Sequence, residues 1–228
     1  MRLPEDRQEE FLRTIIHAEL RAHTTYEEIR RLCLEARYYR FGAVLVHPIH
    51  CKRSADALRG SNVRLIAVVA FPTGAFTANG KAFEARDALA CGADEIAFVI
   101  DIGGLLSERR QVVAQELGAL REAASGHPLT ASLEASVLTD EQIGLACDLA
   151  ADAQIEYIAP FTGFESGSEA RMDAVRRLVT AADERIGVIA WGRVGTVDEA
   201  RNLLAAGAVR LCTGVGVRLA LQLREGTE

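Results

Sequence analysis

"RLIAVVAFPTGAFTANGKAFEARDALACGADEIAFVI", residues 64–100, contains a strand, a helix and a second strand in one run. Its two ends are short, apolar and rich in β-branched residues. Its middle repeats apolar residues at helical spacing, and Gly92 closes that helix before the second strand begins. Two strands joined by a helix of this length pair in parallel, because the crossover returns the chain to the same edge of the sheet. The alternation continues in both directions. Strand-like runs recur at residues 43–48, 129–137, 157–161, 186–191 and 209–214, separated by amphipathic segments such as "TYEEIRRLCLEARYY", "RRQVVAQELGALREAA", "TDEQIGLACDLAADA" and "TVDEARNLLAAGA". Thr25, Thr139 and Thr196 stand where helix N-caps are needed, each followed by an acid. With "TIIHAEL" (residues 14–20) as the first strand the count reaches eight, which predicts an α/β fold, a (β/α)8 TIM barrel in one domain over residues 1–228. The competitor is an open flavodoxin-like or Rossmann sheet, which would have fewer strands; no GxGxxG follows the first strand.

Composition narrows the function. The 228 residues are 49% hydrophobic and 25% charged with a formal net charge of −6, so the chain can bury a large core and offers no basic stripe for a nucleic acid. The charged N-terminus lacks a signal-type apolar region and no apolar run is long enough to span a bilayer, so the expectation is a cytoplasmic protein without a membrane partner. Five single cysteines without a CxxC pair read as reduced thiols. His47, His50 and Cys51 share one loop, but their spacing matches no zinc motif; neither a metal nor another cofactor is expected.

Chemistry in such a barrel sits where the strands end. The candidates there are His17, His47, Asp101, Glu134, residues 159–163, residues 191–195 and residues 213–216. A carboxylate or imidazole in a dry pocket can serve as general acid or base. His17, Asp101 and Glu134 are therefore the expected catalytic groups, while Glu134 and His17 could equally be hydrogen-bonded structural residues.

Several stretches carry a resemblance: "TTYEEIRRLCLEA", "AFPTGAFTANGKAFEARDALACGADEI", "SVLTDEQIGLACDLA" and "FTGF". From about residue 15 to residue 217 the chain resembles the deoxyribose-phosphate aldolases, class I aldolases with this barrel. The resemblance implies a Schiff-base lysine near the end of the sixth strand, where this sequence has Ala159. It implies a second lysine at the end of the seventh, where it has Ile189, and a proton-relaying aspartate in the fourth, where it has Ala97. Only Lys52 and Lys81 are present among 26 lysines and arginines, and arginine stays protonated and cannot form an imine. The family's phosphate cradle maps to Gly163, Gly192, Arg193 and Gly214, with Arg193 either binding an anion or filling the phosphate space itself.

If the family positions face inward, period-two alternation puts Tyr157, Ala159 and Phe161, then Ile189 and Trp191, around an enlarged apolar mouth suited to a partly hydrophobic small molecule, unless the aromatics only refill a retired site. Three functions follow as expectations: a lyase- or cyclase-type enzyme working by acid–base chemistry on a carbonyl metabolite, a catalytically silent binder, or an aldolase with a relocated lysine at Lys52. A homodimer is a further expectation.

Overall fold

The computed structural model describes residues 4–163, 171–192 and 194–225. A first helix, α1 (Glu5–Arg13), which the sequence pattern did not suggest, precedes β1 (Ile15–Ala18). Then α2 (Tyr26–Tyr39) leads to β2 (Ala43–Val46), and α3 (Cys51–Leu58) to β3 (Arg64–Val69). The opening βαβ run resolves into β3, α4 (Ala78–Ala90) and β4 (Glu95–Val99). After it come α5 (Ile102–Leu106), α6 (Arg110–Ala124), β5 (Leu129–Ser132), α7 (Asp140–Asp152) and β6 (Tyr157–Ala159). The chain ends with α8 (Arg171–Ala182), β7 (Gly187–Trp191), α9 (Val197–Ala205), β8 (Ala208–Thr213) and α10 (Gly216–Glu225). All eight strands pair in parallel in sequence order and β8 closes on β1, so the fold is the eight-stranded barrel.

Local chemistry sets the element starts. Thr25 and Thr139 make complete capping boxes with Glu28 and Gln142, and Thr77 and Thr196 accept from Gly80 and Glu199 backbone amides. Each cap contributes on the order of 1 kcal/mol. Two apolar clusters follow from the strand alternation. One lies between barrel wall and helices and takes Val44, Leu65, Phe98 and Ile158; the other fills the barrel and takes Ile16, Leu45, Ile66, Ala97, Ala159, Ile189, Trp191 and Cys212. No helix among the described residues is long and apolar enough to cross a membrane.

Two boundaries differ from the sequence expectation. The fifth strand stops at Ser132 rather than running on to residue 137, because Leu133 to Val137 turn over the barrel's end. The expected loop after β2 is a 3-10 turn, Pro48–His50, running into α3, with Pro48 at the first position where its missing N–H costs nothing.

Candidate functional site

Trp191 is the last residue of β7, on the inward parity, and its ring stacks on Phe71 at 6.4 Å between centroids and 14° between planes. Phe71 leaves the end of β3 in the turn before α4. That turn is held close to β4 by Gly74, at φ 67°, where a Cβ would lie 2.3 Å from the Ile100 carbonyl oxygen. The His47 ring meets Phe71 edge-on at 5.7 Å, and its Nε2 lies 3.1 Å from the Leu20 carbonyl oxygen. His47 thus stands behind the aromatic pair and ties it to the loop after β1.

Over this floor lies an open cavity of about 640 Å³ at the strands' C-terminal face. Trp191, Phe71 and Cys212 form its bottom, and Thr162, Gly163, Gly192 and Gly214 its walls. Arg193 lies outside the described residues. Glu19, Arg21 and Arg31 make the rim. Glu19 accepts from the Arg21 amide at 3.1 Å, Arg21 Nε at 2.9 Å and the Thr24 hydroxyl at 3.0 Å, while Arg21 also reaches Glu28 at 3.0 Å. Burial pushes the Glu19 carboxyl up, but those hydrogen bonds outweigh it and hold the group below the usual carboxylate range. Arg31 is paired only loosely, with Glu35 at 3.8 Å, and two-thirds of its side chain faces solvent.

The space under Trp191 is filled. Ala159 and Ile189 are 0% and 1% exposed and neither lines the cavity, so the expected enlargement of the mouth is corrected: the indole packs with them in the barrel interior and the cavity begins above it. Neither lysine lines the cavity. Lys81 is fully buried, 2.9 Å from Glu116 and 2.7 Å from the Val99 carbonyl, and Lys52 is exposed near the start of α3. Cys212 does reach the cavity, but burial pushes its thiol far up, so it stays protonated and is no nucleophile at neutral pH.

The other expected residues separate. Glu134 is buried, and one of its oxygens accepts from both the backbone N–H (3.0 Å) and the hydroxyl of Thr162. Thr162 faces the cavity, so Glu134 stands directly behind it. Asp101 caps α5 by accepting from the Gly104 amide at 2.9 Å, and its own amide donates to Glu116 at 3.2 Å; it does not line the cavity. His17 is corrected from the mouth to the outer side of the barrel wall, because its neighbours Ile16 and Ala18 take the inward positions. Its Nε2 lies 3.0 Å from Glu35 on α2, its ring meets Phe41 edge-on, and it lines a smaller cleft of about 360 Å³ beside the mouth.

Phe161 is likewise corrected. β6 ends at Ala159, where the Leu133 amide bonds its carbonyl; the Ala135 amide then bonds the Pro160 carbonyl at 2.9 Å, two residues on one side for one on the other, so the alternation slips beyond this point. The Phe161 ring packs into the outer cluster while its carbonyl accepts from Ser132 at 3.2 Å. Tyr157 faces inward but at the opposite end, with the Arg210 guanidinium 4.9 Å from its ring centroid. Phe71, Arg21 and Arg31 were not among the expected site residues, and Thr162 lay inside the candidate stretch 159–163 without an assigned role. Phe71 directly follows a strand end in "VVAFPTG" and could have been found there. Arg31 could not, because only the fold brings α2 to the mouth. His47 and His50 have different partners, the first the Leu20 carbonyl and the second the ring of Tyr26.

Comparisons with known proteins agree on ancestry. A family profile described as DeoC/LacD family aldolase matches residues 5–208. A deoxyribose-phosphate aldolase of Lysinibacillus sphaericus is 37% identical over 213 residues, 93% of this chain and 95% of that protein. A Coccidioides immitis structure provisionally named deoxyribose-phosphate aldolase superposes with a TM-score of 0.92 at 30% identity, covering 98% of this chain and 89% of the other. The deoxyribose phosphate aldolase of Aeropyrum pernix, described as tetrameric, gives 0.88 at 25% identity over 95% and 92%.

Proposed function

The chain belongs to the DeoC/LacD aldolase family, and from that premise we propose that it uses the family's barrel for a reaction that does not pass through an imine. The reaction is a lyase- or cyclase-type, acid–base conversion of a small, partly hydrophobic carbonyl metabolite held on the Trp191–Phe71 floor. One observation carries this: no lysine amine reaches a cavity whose bottom is an aromatic pair. The amine of a class I aldolase must attack the carbonyl carbon directly, and neither of the chain's two lysines lines the cavity, so no route to that bond is open. Thr162, with Glu134 behind it to take or return its proton, is the acid–base unit that touches ligand. Arg31 and the wall glycines fit a polar or anionic end of the same molecule. Self-association is part of the proposal and is supported by the tetrameric Aeropyrum relative.

A second reading, a binder without turnover, is favoured by the structural tasks of the three expected acid–base groups: Asp101 caps a helix, Glu134 holds the Thr162 loop and His17 pairs outside the barrel. Treatment with acetaldehyde and borohydride, followed by intact mass, is expected to give no adduct; a stable mass gain at Lys52 would overturn the proposal and restore imine chemistry. Metabolites found by thermal shift are then followed by NMR. Turnover that falls on the order of 10² to 10⁴ in Glu134→Gln fits the acid–base unit. Ligands that bind and never change establish the binder instead.

A further inference from the structure

At the end of the barrel opposite the mouth, a cleft of about 410 Å³ is lined by Arg13, Arg37, Arg40, Phe41, Ser61 and Asn62. Its position follows from the chain order. Arg13 precedes β1, Arg37 and Arg40 end α2 just before β2, and residues 61–63 precede β3, so all of them gather where strands begin. The chain passes closely there: a Cβ on Gly42 would lie 2.1 Å from the Arg13 carbonyl oxygen, so the wall is backbone and the guanidiniums project over it.

The charges in this cleft are not balanced. Arg13 and Arg40 share a single carboxylate, Glu9, at 2.6 and 3.4 Å, and Arg37 donates to the Ala57 carbonyl at 2.8 Å. Three cations against one anion remain, in a protein whose formal net charge is −6. Arginines in the last turn of a helix often only offset its dipole, and that accounts for Arg13 on α1 and Arg37 on α2. Arg40 is the C-cap of α2, in a left-handed conformation at φ 59°, and it turns its side chain away from its own helix toward the same carboxylate as Arg13. The exposed Asn62 amide has no partner among the described residues and supplies both a donor and an acceptor at the edge. Guanidinium forks match phosphate oxygens two at a time, and the cleft is of the size that small metabolites fill, roughly 300 to 1,000 Å³.

We propose that this cleft is a binding site for a phosphate-bearing small metabolite, separate from the barrel mouth. A bound phosphate would bridge α1 to the end of α2 and the approach to β3, and so tie down the base of the barrel.

The test is calorimetric titration with inorganic pyrophosphate at constant ionic strength, on wild type, Arg31→Gln and the double variant Arg13→Gln/Arg40→Gly. Glycine at position 40 removes the guanidinium at a φ of 59° that glycine adopts freely. Saturable binding is expected in wild type and in Arg31→Gln, weakened about tenfold or more in the double variant, the scale of losing two charge-assisted contacts. Phenylglyoxal labelling of the unmutated protein, mapped by peptide mass, gives a readout independent of the variant's folding. Pyrophosphate should protect Arg13 and Arg40 and leave the exposed Arg59 reactive. Absence of saturable binding, a titration lost in Arg31→Gln and unchanged in the double variant, or a protection map without Arg13 and Arg40 would each overturn the proposal.

Discussion

At the N-terminal end of the barrel the interior carries a charged group: Arg210 grips Glu95 with two bonds, at 2.7 and 3.1 Å, Arg64 joins at 3.4 Å, and the Tyr157 ring lies under the Arg210 guanidinium. At the other end the interior carries Trp191 against Phe71 over Ala97, Ala159 and Ile189. Both arrangements close the same tube, yet they differ in what they leave over. The ion-paired end spends its polar groups on one another, whereas the aromatic end presents a flat, largely apolar surface to the cavity above. A barrel end can therefore be sealed by paired charge or by stacked rings, and here it is the second that leaves an open cavity over it.

The largest expected effect is at the charged end. Glu95→Ala leaves Arg210 mostly buried without its carboxylate, and breaking a buried pair from one side costs about 3 to 5 kcal/mol. Arg64, half exposed, adds little. Guanidinium denaturation measures the loss, and a cost under about 1 kcal/mol would show that the base is not held by this pair. The aromatic end should be softer. Trp191→Ala empties space that opens into the cavity and admits water, so about 2 to 3 kcal/mol is expected rather than the full cost of a sealed void. The same variant should weaken ligand binding by roughly 1 to 3 kcal/mol, and unchanged binding would remove the floor's assigned role.

The base and the mouth were also unequally legible in the sequence. Hydrophobic alternation and helix caps pointed to the strand count. The family resemblance, extended by period two, pointed to the inward face of Ala97, Ala159, Ile189 and Trp191, because alternation is a local property of an extended chain but does not say which face is inside. The same rule misplaced Phe161, since it was carried one residue past Pro160, where the pairing slips by one residue and the parity with it. Tyr157 obeys the rule and still lies at the wrong end. Parity says which face a residue takes and not how far along the barrel it sits, and only register with Gly187 and Thr130 fixes that. Volume was equally hidden: Ala159 and Ile189, standing where the family has lysines, suggested a void, and packing with the neighbouring indole decided otherwise. The rim depends on a contact between distant segments, which no local pattern encodes.

The smallest expected effect is at that rim, and it separates charge held in the open from charge held inside. Glu28 is the partner of Thr25 in the capping box of α2 and also pairs with Arg21, which in turn grips Glu19. The Thr25 backbone and hydroxyl donors, with Arg21 behind them, hold the Glu28 carboxyl down to about 2 from an ordinary 4.5. A carboxyl depressed by folding stabilises the folded state wherever it is ionised in both states, above pH 4.5, and that contribution fades as pH falls toward 2. Glutamine keeps the capping geometry and removes only the charge. Wild type should therefore exceed Glu28→Gln in urea midpoint near pH 6, and the difference should shrink steadily below pH 4.5 and be gone near pH 2. Because the carboxyl is solvent-exposed, about 1 M salt, with a screening length of roughly 3 Å, should reduce the pH 6 difference as well. A difference that ignores both pH and salt would mean that shape rather than charge sets this rim.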